Sequence, residues 1–80
     1  MHPKITDVSM KEPYVLIITF DNNEKRLYDF NNKLEMDRFK QLKNYGLFKK
    51  FKIDNGGYGI VFNDDVEVSE YEIYKDGIRF

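Results

Sequence analysis

Hydrophobic and polar positions alternate in residues 51–62, FKIDNGGYGIVF, on both sides of an Asn-Gly-Gly cluster. Two-residue hairpin turns require positive φ angles, which Asn and Gly adopt more readily than other residues. Alternation places Phe51 and Ile53 on one face before the turn, and Tyr58, Ile60 and Phe62 on one face after it. A glycine inside a strand is typical of a bulge or of a close backbone approach. The pattern predicts a β-hairpin whose turn-forming residues are Asn55, Gly56, Gly57 and Gly59.

The strongest strand pattern is YVLIITF at residues 14–20, which is rich in β-branched and aromatic side chains. Both of its faces are apolar, so we expect a central strand that is at least partly covered on both sides. A first strand is predicted at residues 4–10, followed by a turn at residues 11–13. The polar turn at residues 21–24 leads into a third strand at residues 25–30, which we expect to pair with the second as a hairpin.

Helical spacing replaces alternation in the middle of the chain, where Met36, Phe39 and Leu42 recur every three residues. This spacing predicts a short central helix at residues 35–44 that ends before Gly46, with one further helical turn at residues 47–50. Since a short amphipathic helix packs through its apolar side, we expect Phe39 and Leu42 to lie in the core.

The C-terminal part is predicted to contain a turn at residues 63–65, a short strand at residues 66–68 and one brief helix. Ser69 and Glu72 have the spacing of a capping box, which favours a helix through Tyr74 that ends at the Asp-Gly pair before Ile78. Ile78 and Phe80 are expected to fold back onto the domain.

Together these elements predict an α+β fold in one domain, residues 1–80. We expect an antiparallel, hairpin-rich sheet of five or six strands with one short central helix and a short C-terminal helical turn. Hydrophobic residues make up 41% and charged residues 34% of the chain, which is typical of a globular protein, and seven Phe and six Tyr supply a large apolar area. The chain has no Cys, no apolar run of about 18 residues and no apolar signal segment, so we expect a cytoplasmic protein without membrane spans.

The net charge of −1 conceals two oppositely charged segments. Residues 33–52 carry a net charge of +5 and residues 54–76 a net charge of −6. One interpretation is that the two segments attract each other within the fold; the other is a bipolar surface used for a partner or for self-association. On the second interpretation, the candidate partner-binding residues are Lys40, Lys43, Lys49 and Lys50.

The sequence gives little evidence for a catalytic or metal-binding site. His2 is the only histidine and lies at a terminus, so a nucleophile would lack a base within hydrogen-bonding reach. Asp21 and Asn23 begin a calcium-loop spacing, but basic residues occupy its fifth and sixth positions. Asp64 and Asp65 are adjacent in a predicted turn, where their side chains diverge. We therefore expect no catalytic residue, no cofactor and no metal site, and we predict that the protein is not an enzyme.

Four motifs stand out along the chain: HPKI at residues 2–5, YVLIITF at residues 14–20, LFKK at residues 47–50, and above all GGYGI at residues 56–60 with an aromatic residue two positions later. Together they resemble the bacterial domain of unknown function 2442 family. Phe62 stands where the family commonly has Trp, and Asn-Glu at residues 23–24 stands where Asn-Gly is usual. The resemblance implies a small α+β domain with no catalytic residues to transfer, and some members are encoded beside a small protein in what looks like a toxin–antitoxin arrangement.

The expected function is a non-enzymatic protein–protein interaction module, the antitoxin-like partner-binding component of such a pair. The alternative is regulatory nucleic-acid binding through the basic segment Lys33–Lys52, where aromatic residues among lysines could stack on single-stranded bases. We expect an unidentified protein partner, and a chain that is a monomer or a weak homodimer.

Overall fold

The computed structural model describes residues 3–80, so His2 and its part of the HPKI motif lie outside the described residues. Four strands form one antiparallel sheet in the order β1-β2-β3-β7. Their bounds are β1 Ile5–Glu12, β2 Val15–Phe20, β3 Lys25–Asp29 and β7 Ile78–Arg79. The predicted hairpins between the first three strands are confirmed.

Strand β2 lies inside the sheet, between β1 and β3, as its composition predicts. Leu16, Ile18 and Phe20 are fully buried on its inner face. The strand begins one residue later than predicted, because Tyr14 has a φ of 66° and belongs to the turn. The outer face is only partly covered, with Ile17 half-buried.

A helical layer covers the inner face of this sheet, and it has the two predicted parts, residues 35–44 and 47–50, but with different bounds and with Gly46 inside the second part. Residues Asp37–Lys43 form a 3-10 helix, and a separate α-helix, α1, spans Tyr45–Phe48. The break has a local cause, since the side chain of Asn44 accepts a hydrogen bond from the Leu47 amide and begins a new helix. The prediction of Phe39 and Leu42 in the core is confirmed.

The remaining strands form a second antiparallel sheet of three, in the order β4-β5-β6. Their bounds are β4 Lys52–Ile53, β5 Gly59–Val61 and β6 Glu67–Ser69. Helix α2 follows at Glu70–Asp76, and the Ser69 hydroxyl accepts a hydrogen bond from the Glu72 amide at 3.1 Å, as the capping box predicts. The α+β class is confirmed; residues 3–80 contain seven strands rather than five or six, and these are divided between two sheets rather than joined in one.

An aromatic cluster joins the two sheets and the helical layer. The Phe30 ring is centred 5.5 Å from Phe39, 5.4 Å from Phe48 and 5.7 Å from Phe62, with steep interplanar angles in each pair. These edge-to-face contacts suit the charge distribution of aromatic rings. All four rings are buried, so the core is built on residues contributed by every layer.

The chain end folds back onto the domain as predicted, but its apolar side chains stay exposed. Strand β7 pairs with β3 through its backbone, but Ile78 is 62% exposed and Phe80 is 67% exposed. On the inner face of the sheet, next to β7, lies Arg26 of β3, which is 4% exposed. Its guanidinium lies 4.2 Å from the centre of the Tyr74 ring. The Arg26 Nε donates a hydrogen bond to the Tyr74 carbonyl at 3.0 Å, which fixes α2 against β3.

Candidate functional site

The glycine loop, residues 54–59, connects β4 and β5 and is wider than the tight turn that the sequence predicts. Residues Asn55–Gly57 form a 3-10 turn that begins at Asp54, whose carboxylate accepts a hydrogen bond from the Asn55 amide. The Asp54 carbonyl accepts another from the Gly57 amide at 2.9 Å. Gly56 and Gly57 have φ angles of 81° and 78°, which confirms that both use the left-handed region open to glycine.

Two of the loop glycines allow close backbone contacts with neighbouring strands. A Cβ atom on Gly57 would lie 2.5 Å from the Ile5 carbonyl oxygen in β1. A Cβ atom on Gly59 would lie 2.7 Å from the Val68 carbonyl oxygen in β6, which is the close approach predicted for that residue. The loop is therefore held between both sheets, with no room for a larger residue at either glycine.

The fixed loop presents Tyr58 to solvent. Its side chain is 55% exposed, whereas its carbonyl accepts a hydrogen bond from the Glu70 amide at 2.9 Å. The Lys4 Nζ lies 4.7 Å from the ring centre and 3.5 Å from a carboxylate oxygen of Glu70. Gly56 lies beneath the ring, because a Cβ there would be 2.6 Å from the Tyr58 Cε2.

The prediction that Tyr58 points to the same face as Ile60 and Phe62 is wrong. Ile60 and Phe62 are buried, but Tyr58 precedes the strand and has helical backbone angles, φ −83° and ψ −7°. Side chains alternate between the two faces only where the backbone is extended, so alternation does not predict the direction of the Tyr58 side chain. The available sequence signal was the Gly56-Gly57 pair, because glycine favours the positive φ angles that keep this part of the chain in the turn.

An open groove runs beside the loop along β4 and β5. It has a volume of about 390 Å³ and is lined by Lys52, Ile53, Asp54, Asn55 and Val61. The groove combines one ammonium group, one carboxylate and two aliphatic side chains. Its lining therefore suits mixed polar and apolar contacts rather than a single charged ligand.

The four predicted partner-binding lysines are all exposed, but they fall into two pairs. Lys40 and Lys43 lie on the 3-10 helix and form ion pairs with Asp37 at 3.4 Å and with Glu35 at 2.9 Å. The hydrogen bond from Lys43 lowers the pKa of the Glu35 carboxyl below its ordinary value.

Lys49 and Lys50 follow α1 and lead into β4, next to the groove. The Lys49 Nζ lies 5.3 Å from the centre of the Tyr45 ring. Within residues 3–80, Lys50 and Lys52 form no ion pair. The end of α1 therefore carries more uncompensated positive charge than the 3-10 helix does.

The oppositely charged segments meet at one ion pair in the described part of the chain. The Arg38 guanidinium binds the Glu72 carboxylate through two hydrogen bonds of 2.9 and 3.0 Å. The Tyr28 hydroxyl lies 3.5 Å from the same carboxylate. Burial of the hydroxyl, followed by the charges of Glu72 and Asp76, raises the pKa of Tyr28 to about 12. This contact supports attraction between the segments, while most of their charges remain in solvent.

The described residues offer no cluster suited to metal binding, since no group of three or more His, Cys, Asp or Glu side chains converges there. Asp21, Asp64 and Asp65 are exposed residues in turns. Residues 3–80 also contain no helix with the length and apolar character that crossing a bilayer requires.

Comparisons with known proteins give one positive result. No curated protein and no solved structure matches the chain. The model of one family, described as "Protein of unknown function (DUF2442)", matches residues 5–79, which include the glycine loop and Tyr58. The chain therefore belongs to the DUF2442 family of proteins of unknown function.

Proposed function

We propose that the chain is a non-catalytic, antitoxin-like protein-binding module of the cytoplasm, and that Tyr58 is the anchor of its binding surface. The observation behind the proposal is that the Tyr58 side chain is 55% exposed although the loop beneath it is fixed by hydrogen bonds and close contacts. Tyrosine is enriched among the residues that dominate binding energies. A side chain held on a rigid backbone also loses little conformational entropy on binding.

The surroundings of Tyr58 indicate the chemistry of the partner. Exposed Lys49, Lys50 and Lys52 lie on or directly before the groove strand, with few compensating acids. A partner with a pocket for the tyrosine ring and carboxylates at its rim would fit both features, because opposite rim charges steer association. Lys40 and Lys43 remain predicted contacts, but their ion pairs reduce the charge they offer.

Nucleic-acid binding is the weaker alternative. Stacking on bases needs exposed aromatic rings, but Phe39 and Phe48 are fully buried and Phe51 is half-buried. Tyr45 remains partly accessible, with Lys49 over its ring. The lysines alone would support binding to phosphates without stacking.

Affinity capture from a host lysate, with quantitative mass spectrometry, tests the proposal. Tyr58→Ala should lose a protein that the wild type retains, because the anchor ring is removed. Tyr71→Ala is the matched control, since it removes another exposed tyrosine side chain, which lies on α2 and not on the glycine loop. A protein captured equally well by wild type and Tyr58→Ala would overturn the role of Tyr58.

Three further experiments distinguish protein binding from nucleic-acid binding and compare the two pairs of lysines. Nuclease treatment of the lysate should leave the captured protein in place, whereas loss of all capture would favour nucleic acid. The reversal Lys49→Glu with Lys50→Glu should weaken capture more than Lys40→Glu with Lys43→Glu. Anisotropy of a labelled single-stranded oligonucleotide at low and high salt checks nucleic-acid binding directly, since phosphate contacts weaken steeply with salt.

A further inference from the structure

The outer face of the four-stranded sheet carries a row of apolar side chains. Ser9, Ile17, Leu27 and Ile78 lie directly opposite one another in register across all four strands. Ile17 and Leu27 are half-buried, yet neither belongs to the residues that pack on the core, and Ile78 is 62% exposed. Opposite residues in a sheet share a face, so these three apolar side chains form a continuous line on the side away from the core.

Opposite charges lie on the two sides of this row. In β3, Lys25 comes two residues before Leu27 and Asp29 two residues after it, so alternation puts all three on the outer face. Each charge is about 7 Å from the row along the strand. In β1, Asp7 lies on the Lys25 side, and the Lys11–Glu12 bulge lies on the Asp29 side with one charge of each sign.

At the β7 end, the two sides of the apolar row also differ in shape: one side carries an exposed ring and the other a cavity. Exposed Phe80 follows Arg79 on the Lys25 side of the row. A cavity of about 190 Å³ lies on the Asp29 side of the row, where Leu27, Asp29 and Ile78 of the outer face line it together with Tyr28, Asn32, Lys33 and Asp76. A cavity of about 150 Å³ accepts a benzene ring, so this one has the volume for a phenyl side chain, with Leu27 and Ile78 as its aliphatic lining and Asp29, Lys33 and Asp76 as its charged lining.

From this arrangement we infer that the outer face binds a second copy of the chain, sheet against sheet, about a two-fold axis along the apolar row. A rotation of 180° about that line exchanges its two sides. Lys25 of each copy then faces Asp29 of the other, Phe80 of each copy faces the cavity of the other, and Ile17, Leu27 and Ile78 meet their own counterparts. Self-complementarity of this kind is what an isologous interface requires.

The size of the face predicts a weak dimer. The four strands have eight, six, five and two residues, and at about 3.3 Å per residue and about 4.8 Å between strands they cover roughly 330 Å². Stable complexes bury about 800 Å² on each partner, so the dimer belongs with the small, transient interfaces. We expect a dissociation constant in the range of about 0.01–1 mM.

Sedimentation equilibrium of the full chain tests the inference first. The wild type should show a monomer–dimer equilibrium, and Ile78→Asp should raise the dissociation constant at least about tenfold, because the charge enters the interface twice. Met36→Asp is the matched control, a similar change at an exposed residue outside this sheet, and should leave the constant unchanged. A wild type that stays monomeric at about 1 mM, or an Ile78→Asp variant that dimerises like the wild type, would refute the inference.

Charge reversal tests the symmetry axis itself. Lys25→Asp alone brings Asp against Asp, and Asp29→Lys alone brings Lys against Lys, so each variant should dimerise more weakly than the wild type. An equimolar mixture of the two should form heterodimers, because both cross-pairs are then attractive. Asp29 also accepts hydrogen bonds from Asn31, so circular dichroism must show that Asp29→Lys is folded. If it is not, Ile78→Asp and Lys25→Asp still decide the question. Folded single variants whose mixture associates no better than either alone would exclude this axis.

Discussion

Gly57→Ala should be the most damaging single substitution in the glycine loop. Gly57 has a φ of 78°, and a Cβ atom there would lie 2.5 Å from the carbonyl oxygen and 2.9 Å from the amide nitrogen of Ile5. Both contacts are with the backbone of β1, which is paired along β2 and cannot move away independently. Gly56 has a similar φ of 81°, but its Cβ would meet only the ring of exposed Tyr58. Both alanine variants therefore have the strain of a left-handed backbone, but the new methyl group meets fixed backbone at Gly57 and a movable ring at Gly56.

The expected loss of stability follows from three contributions. Placing alanine in the left-handed region costs about 1–2 kcal/mol. Overpacking against fixed backbone adds about 1–3 kcal/mol at Gly57, and the lower entropy of the unfolded alanine chain offsets about 0.4–1 kcal/mol in both variants. The free energy of unfolding should fall by about 2–4 kcal/mol for Gly57→Ala and by about 1 kcal/mol for Gly56→Ala. A chain of this length is stable by about 4–12 kcal/mol, so the first loss is a large fraction of the total.

Urea unfolding followed by circular dichroism measures both free energies under the same conditions. In thermal melts, 1 kcal/mol corresponds to about 4–8 °C for a domain of this size, so Gly57→Ala should melt about 10–25 °C below the wild type. Equal losses in the two variants would show that left-handed strain alone matters. A loss at Gly57 smaller than at Gly56 would contradict the contact between the loop and β1.

Three further substitutions test the contacts that fix the helices. Because the pKa of Tyr28 is raised to about 12 from 10.0, the folded state holds the proton more tightly, so stability should fall as the pH rises from about 10 to 12. We expect a loss of about 1–2 kcal/mol, and Tyr28→Phe should remove that pH dependence. Arg26→Lys should lower the free energy of unfolding by about 1–3 kcal/mol in urea, because lysine cannot reproduce both the stacking on Tyr74 and the hydrogen bond to its carbonyl. Asn44→Ala should cost about 0.5 kcal/mol in thermal melts, since the Leu47 amide loses the side-chain acceptor at 3.4 Å but keeps the Asn44 carbonyl at 3.0 Å.

Local patterns predicted most of the strands because hairpins depend on neighbouring residues. The β1–β2–β3 meander follows from apolar runs separated by short turns, and the Asn23 φ of 69° shows the turn chemistry that its sequence favours. The Ser69 cap likewise depends on residues only three positions apart. The same local signals could not separate a 3-10 helix from an α-helix, because apolar residues every three positions fit both.

Features that depend on distant residues were not predictable from one sequence. The burial of Arg26 requires the Tyr74 ring and carbonyl, 48 residues away. The division into two sheets depends on how the aromatic cluster at Phe30 packs the layers, which no periodicity reports. The candidate site was missed for a related reason. Charge pointed to the lysines and turn propensity to the glycines, whereas the exposure of Tyr58 depends on the contacts of Gly57 with β1.

Gly56→Ala offers a way to separate the proposed binding function from the fold. The new methyl group would meet the Tyr58 ring 2.6 Å away, so the ring must leave its position over Gly56 and its place beside the Lys4 ammonium group. Because that ring is exposed, the displacement costs little stability, yet it destroys the fixed presentation on which the proposal depends. We expect partner capture to fall nearly as far as in Tyr58→Ala, at a temperature where circular dichroism shows both variants to be fully folded. Tyr58→Phe is the control, because it keeps the ring in place and should retain most of the capture. Wild-type capture by Gly56→Ala, together with loss in Tyr58→Ala, would mean that the partner needs the ring but not its orientation.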